Sequence, residues 1–152
     1  MDKNNGFIKG LKDGIPICIG YFSVAFAFGI FAVSSGLTAF EALLISMTNV
    51  TSAGQLAAVP IIVTGGTLLE LGASQLVINL RYALMSVTLS QKLDGTVSLA
   101  DRLLIAFVNT DEVFAVATSK ESVGRTYMFG LILTPFAGWS AGTAVGAIAG
   151  KS

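Results

Sequence analysis

Three charged residues stand inside segments of the chain that are otherwise apolar, which makes them the first candidates for chemistry. They are Arg81, Asp111 and Glu112. A charge near the centre of a membrane helix costs roughly 2.5–3.5 kcal/mol even on the most lenient insertion scale. We therefore expect these groups to bind a polar solute or to carry coupling protons, and we expect Arg81 to pair with Asp111 or Glu112 when no solute is bound. The alternative is an ion pair that only holds two helices together.

Uncharged polar residues cluster in the same segments and in the apolar segment that precedes them. Each unsatisfied polar group in hydrocarbon costs several kcal/mol, so such residues must face one another, a water-filled cavity or a partner. The alternative for each is a hydrogen bond between helices that serves structure alone. The candidate binding residues are Asn49, Thr51, Ser52, Gly54 and Gln55 in the first cluster, Ser74, Gln75 and Asn79 in the second, and Asn109 and Thr110 in the third.

The run from Asn49 to Gly54 predicts a break in its helix. The run contains poor helix formers, and Ser52 followed by Gln55 three residues later resembles a capping box, so a second half-helix can begin here. The free N–H groups at its start would face an anion. A second break is expected near residues 77–79, because Asn79 and Arg81 would lie about 200° apart on an unbroken helix.

The composition indicates that membrane helices carry these residues. The chain is 53% hydrophobic and only 12% charged, against roughly 25% charged in a soluble domain. Nine basic and nine acidic residues leave no net charge to attract nucleic acid, so no nucleic-acid partner is expected. Histidine is absent, which excludes histidine-based proton relays, metal sites and catalytic triads. An acidic pair without a nucleophile or metal-ligand set is a weak sign of catalysis, so we expect neither an enzyme nor a cofactor or metal.

Charge spacing predicts where the chain crosses the bilayer. Uncharged runs longer than the ~20 residues that span a bilayer lie between Asp13 and Glu41, between Glu41 and Glu70, and between Arg125 and Lys151. With two shorter, polar-interrupted segments they predict an all-α membrane protein of about five transmembrane segments, with broken or re-entrant helices near 49–54 and 77–79. No linker divides the chain, so residues 1–152 are expected to form a single transmembrane domain. The predicted segments are 15–34, 40–64, 68–91, 101–119 and 127–149.

Small residues recur at every fourth position of the last segment, which places them on one helix face. Such a face lets another backbone approach closely, and in lipid this contact is a main source of helix association. We expect the face to contact a second copy of the chain or a small partner subunit. The alternative is the chain's own first helix, where Ala25 and Gly29 offer a complementary pair. The helix-packing residues are Gly130, Thr134, Gly138, Gly142, Gly146 and Gly150.

Three motifs follow one another in a fixed order: Ser-Ala-Gly-Gln-Leu-Ala-Ala-Val at 52–59, Asn-Leu-Arg-Tyr-Ala-Leu-Met at 79–85 and Thr-Asp-Glu-Val-Phe-Ala at 110–115. Together they resemble the AzlC family of branched-chain amino-acid permeases. The resemblance covers essentially the whole chain, including Gly14-Ile15-Pro16 and Gly138-Trp139. Members of that family are longer, with further membrane segments after the Gly138-Trp139 region. The resemblance therefore implies the N-terminal part of such a permease, in a short or C-terminally truncated member.

The resemblance also implies a function. It implies a multi-pass protein of the bacterial cytoplasmic membrane that exports branched-chain amino acids, together with a small AzlD-like membrane subunit or as a homo-oligomer in the lipid bilayer. For such a substrate, Arg81 or the backbone of Ser52-Ala53-Gly54 would hold the carboxylate, and Asp111 or Glu112 would hold the ammonium. The alternative function is a structural or assembly subunit of a membrane complex that has no transport activity of its own.

Overall fold

The computed structural model describes residues 3–151, with side chains from Gly6 to Lys151. Within these residues the chain has seven α-helices and no β-strand, which confirms the all-α prediction. Two helices, α1 from Gly6 onward and α7, are long and apolar enough to cross a membrane. The seven are α1 (Lys3–Ser34), α2 (Ala39–Thr48), α3 (Ser52–Val63), α4 (Leu68–Ser90), α5 (Leu99–Phe107), α6 (Asp111–Thr118) and α7 (Arg125–Ala149).

The helices are grouped into two compact units, and each unit is described by itself. Unit 1 takes in the first helix up to Cys18 together with Arg81–Phe136. Unit 2 takes in Ile19–Leu80 and the stretch from Ala137 onward. The long helices α1, α4 and α7 therefore contribute one part to each unit, whereas each pair of short helices belongs to one unit alone.

In unit 2 the predicted break near 49–54 is confirmed, since α2 ends at Thr48 and α3 begins at Ser52. Asn49 leaves the helical conformation, Thr51 has extended backbone, and the Thr51 N–H donates to the Asn49 carbonyl at 2.9 Å. The start of α2 is fixed by a capping box, in which the Glu41 carboxylate accepts from the Thr38 N–H at 2.7 Å. The three-residue break is thus a turn between two well-defined helices.

The two helices on either side of this break fold back on each other. The Ser46 hydroxyl donates to Gln55 Oε1 at 3.1 Å, although residues nine positions apart would lie about 13.5 Å apart along a straight helix. Farther from the turn, Ala42 of α2 and Val59 of α3 belong to one buried hydrophobic cluster. The segment 40–64 is therefore a helical hairpin whose tip is the stretch 49–51.

Unit 1 contains a second hairpin that the sequence analysis missed. Helix α5 ends at Phe107, and α6 begins at Asp111 after a break at 108–110. Just beyond α6, the Val123 N–H donates to the Lys92 carbonyl at 2.9 Å, which places it beside the residues that precede α5. Arg125 Nε also contacts Asp101 Oδ2, in the first turn of α5, at 2.9 Å, so the chain that leaves α6 returns to the start of α5. The segment predicted at 101–119 is therefore not one continuous helix but a hairpin with its tip at 108–110.

The break predicted at 77–79 is wrong, because α4 is helical without interruption from Leu68 to Ser90. The Asn79 side chain donates to Gln75 Oε1 at 3.2 Å, one turn earlier, so the asparagine is accommodated on the surface of the helix. Arg81 lies on another face of α4 and belongs to unit 1, whereas Gln75 and Asn79 belong to unit 2. No break is needed, because Asn79 and Arg81 make their polar contacts on different faces of one continuous helix.

The small-residue face of α7 packs against α1 of the same chain. In unit 1, a Cβ on Gly130 would lie 2.9 Å from the Leu11 nitrogen, and the Thr134 hydroxyl donates to the Leu11 carbonyl at 3.4 Å. In unit 2, Gly142, Gly146 and Gly150 face the backbone of Phe22, Phe26 and Ile30 in turn, and Gly138 is buried. The helix-packing role of this face is confirmed. The expectation of a second copy or a partner subunit on it was wrong, because glycines along α1, among them Gly10 and Gly29, complete the contact within the chain.

Candidate functional site

The candidate residues of unit 1 meet at the tip of the α5–α6 hairpin. Arg81 Nη1, on α4, lies 2.9 Å from Asp111 Oδ2, on the first residue of α6, which confirms the predicted pairing. The guanidinium also donates to the Tyr82 hydroxyl at 3.1 Å and lies over the Tyr82 ring. Both charged side chains remain about half exposed, 54% for Arg81 and 46% for Asp111. The pair is therefore accessible rather than enclosed between the helices.

The local sequence explains why the acids stand here. Thr110 is the N-cap of α6 and its hydroxyl accepts from the Val113 N–H at 3.5 Å. Asp111 and Glu112 then fall in the first turn, where the helix dipole stabilises negative charge. Asn109 is 2% exposed and donates to the Ser86 hydroxyl at 3.4 Å. The tip thus combines a helix N-terminus, an ion pair and a buried amide.

In unit 2, Gln75 of α4 ties together the tip of the α2–α3 hairpin. Its Oε1 accepts from Asn49 Nδ2 at 2.9 Å and from Asn79 Nδ2 at 3.2 Å, and its Nε2 donates to the Gly54 carbonyl at 2.9 Å. A Cβ on Gly54 would stand only 2.6 Å from Gln75 Oε1 and 2.9 Å from Asn49 Nδ2. The amides therefore approach the backbone of α3 so closely that a larger residue at position 54 would displace them.

A buried network next to this tip includes residues that the sequence analysis did not propose. Ser46 and Thr143 join hydroxyls at 2.6 Å, and the Trp139 indole N–H donates to the Ser46 carbonyl at 3.1 Å. Gln55, which was proposed, is fully buried and accepts from Ser46. Ser46 and Thr143 are each one of several hydroxyls in a mainly apolar helix, so no spacing in the sequence could have singled them out.

The remaining proposed residues, Ser52, Ser74 and Glu112, flank these two clusters. Ser52 is exposed at the first position of α3, and Ser74 is half-buried on α4. Glu112 is exposed in the first turn of α6, next to Asp111. The structure thus concentrates the polar contacts on Arg81 and Asp111 in unit 1 and on Gln75 and its partners in unit 2.

Comparison with known proteins assigns the chain to a protein family. The model of the family described as AzlC protein matches residues 16–152. The chain belongs to the AzlC family. Among curated proteins, the AzlC-family chain is 30% identical to the inner membrane protein YgaZ of Escherichia coli (strain K12), over 95% of this chain and 61% of that protein. It is 34% identical to an uncharacterized membrane protein of Archaeoglobus fulgidus, over 100% of this chain and 66% of that protein.

The chain therefore spans less than two thirds of the length of these two relatives. No solved structure matches it. Family membership, relatives named as membrane proteins and two long apolar helices together identify an all-α membrane protein.

Proposed function

We propose that this AzlC-family protein transports branched-chain amino acids across the cytoplasmic membrane, in the direction of export, together with a small AzlD-like membrane subunit. Membership of the AzlC family supports transport. The candidate substrate-binding residues are the polar residues of the two hairpin tips. The role is that of a permease rather than an enzyme.

The observation that carries this proposal is the ion pair of Arg81 with Asp111 at the start of a half-helix. In a membrane protein each of these charges is costly to insert. A pair that served only to hold α4 to α6 could be replaced by apolar residues of similar volume without loss of stability, and often with a gain. Because both side chains remain accessible, the pair can open, so that Asp111 exchanges the guanidinium for a coupling proton.

We further propose that three helices cross the membrane, namely α1, α4 and α7, and that each hairpin enters and leaves on one side. Helix α4 has 23 residues, a length of about 34 Å, which exceeds the roughly 30 Å of a bilayer's hydrocarbon core. The α2 and α3 helices have 10 and 12 residues, so each covers only about half of that thickness.

The direct test is flux of labelled leucine from liposomes that contain the purified protein, with and without a small AzlD-like subunit. We expect flux with the unchanged protein and a loss of at least about tenfold with Arg81→Gln. A matched control is Arg125→Gln, which removes an Arg–Asp contact of the same 2.9 Å length, to Asp101, outside the hairpin tips. That control should retain flux.

Normal flux by Arg81→Gln would contradict the assigned role of the ion pair. Tight assembly with the small subunit and no flux by the unchanged protein would contradict transport by this chain and favour a structural subunit. In the double variant Arg81→Gln, Asp111→Asn, we expect stability to recover relative to Arg81→Gln alone, because no unpaired carboxylate remains at the tip.

A further inference from the structure

The start of α3 lacks the cap that the other short helices possess. Thr38, Ser98 and Thr110 each accept a backbone N–H of the helix they precede. Thr51 occupies the same N-cap position of α3 but makes no such bond. Its side chain is only 5% exposed, and its hydroxyl oxygen has no hydrogen-bond partner among the residues that the structure describes. A buried hydroxyl therefore stands at an uncapped helix N-terminus.

Two more polar atoms near this hairpin tip, one on α3 and one on α4, lack a hydrogen-bond partner among the described side chains. Gln55 is fully buried, and its Nε2 donor is unsatisfied while its Oε1 accepts from Ser46. On α4, the Asn79 Oδ1 acceptor is unsatisfied. Asn79 and Asn49 donate to the same oxygen of Gln75, so the free Asn79 oxygen lies close to the tip. Each buried unsatisfied group costs roughly 1–3 kcal/mol, so three around one turn indicate that a polar ligand belongs there.

The hairpin turn also sets the electrostatic character of this place. Because the chain turns within 49–51, the negative end of the α2 dipole and the positive end of the α3 dipole lie side by side. No lysine or arginine occurs between Ile19 and Leu80, and the acids of that stretch, Glu41 and Glu70, stand at the starts of α2 and α4. Both signs of partial charge are thus present without an ionised side chain.

We propose that the tip of the α2–α3 hairpin binds the zwitterionic backbone of a free α-amino acid. The carboxylate accepts from the uncapped N–H groups of α3, from the Thr51 hydroxyl and from Gln55 Nε2. The ammonium donates to Asn79 Oδ1 and to the last carbonyls of α2. In an α-amino acid a single carbon separates the carboxylate from the ammonium. This short separation matches the end of α2 and the start of α3, which are joined by a three-residue turn. This inference rests on the proposed transport function and names the group of the substrate that this site recognises.

Thr51→Val is the decisive variant because the hydroxyl that it removes has no hydrogen-bond partner in the part of the chain that the structure describes. The thermal stability without ligand should therefore be unchanged or higher, whereas leucine binding should weaken by about tenfold or more, the loss of one hydrogen bond to a charged group. Thr48→Val is the matched control. Thr48 belongs to the same hairpin, but its hydroxyl donates to the Leu44 carbonyl of its own helix at 2.7 Å, so leucine binding should not change.

Calorimetric titration of the purified protein in detergent measures the leucine affinity of both variants and the affinity of the unchanged protein for leucine analogues. Leucine should bind at least about tenfold more tightly than 3-methylbutylamine, which lacks the carboxylate, or 4-methylpentanoate, which lacks the ammonium. Gly54→Ala places a methyl group among the amides, and it should weaken leucine binding as well.

The outcomes separate this site from the transport proposal. If the unchanged protein shows leucine flux but Thr51→Val binds leucine as tightly as the unchanged protein does, the proposed binding site is overturned and the transport proposal is not affected. If leucine binding depends on Thr51 but no flux occurs under any condition, the transport proposal is overturned and the proposed binding site still holds. Equal affinity for the amine, the acid and leucine overturns the zwitterion requirement. Failure of the unchanged protein to bind leucine overturns the site.

Discussion

The contact between α1 and α7 makes a quantitative prediction about two glycines of unit 2. In the change Gly146→Ala, the new Cβ would lie 2.8 Å from the Phe26 carbonyl carbon, 0.6 Å short of the 3.4 Å at which ordinary contact begins. The obstacle is the backbone of another helix, which cannot rotate away as a side chain can. The matched change Gly20→Ala, on α1, meets nothing within 4 Å. The two substitutions add the same methyl group to a helix in opposite surroundings.

The two effects differ in sign. Overpacking costs about 1–3 kcal/mol, and a backbone obstacle places Gly146→Ala near the upper end of that range. Replacing glycine by alanine inside a helix gains about 1 kcal/mol. We therefore expect a loss of about 2 kcal/mol for Gly146→Ala and a gain of about 1 kcal/mol for Gly20→Ala. For a chain of this size each kcal/mol corresponds to about 2–4 °C in Tm, so the variants should differ by about 6–12 °C.

Thermal unfolding of the purified protein in one detergent, followed by circular dichroism, measures the difference. The same detergent and protein concentration must be used for both variants, because the comparison depends on a shift in Tm between them. Equal Tm values for the two variants would mean that the α1 backbone does not occupy the α7 face, and the assignment of the glycine stripe would be wrong.

Three further outcomes are expected. Ser98→Ala, which removes the capping box of α5, should lower the stability by about 1 kcal/mol in thermal unfolding, and no change would show that the cap is not formed. Trp139→Phe keeps an aromatic ring but leaves the Ser46 carbonyl without its indole donor, so a loss of about 1–3 kcal/mol is expected in the same assay. Single cysteines are placed at Ser35 and at Thr67 in a background without the native cysteine. Because α2 and α3 form a hairpin between these two positions, an impermeant maleimide should label both from the same side of the membrane. Labelling from opposite sides would support a straight span.

The two hairpin tips show what local chemistry can and cannot reveal. The break near Asn49 was predictable because poor helix formers accumulate there. The break at 108–110 carries a comparable signal, Thr110 as N-cap with acids in the next turn, but the sequence analysis interpreted those acids only as functional charges. The folding back of each helix pair depends on contacts such as that of Ser46 with Gln55, which no periodicity encodes.

Pairing partners were predictable only where few alternatives existed. Arg81 is the single basic residue in its segment and the acids at 111 and 112 were the only intramembrane acids proposed, so their pairing followed from charge alone. For the α7 stripe, a spacing of four indicated a flat face but not the helix that fills it. The wrong break at 77–79 arose because one site was assumed to need both Asn79 and Arg81, whereas each side chain joins its own cluster.

The close fit of α7 on α1 also bears on how the protein is made. Thr134 contacts Leu11 across a separation of 123 residues, so most of the chain must be synthesised before the contact forms. At about 5–20 residues per second this takes roughly 6–25 s. Throughout that interval α1 lies in the bilayer with its glycine face covered only by lipid or by the insertion machinery. Contacts so distant in the chain form slowly. The docking of α7 on α1 therefore comes late in the assembly of the described helices, and substitutions along the stripe should reduce the yield of inserted protein.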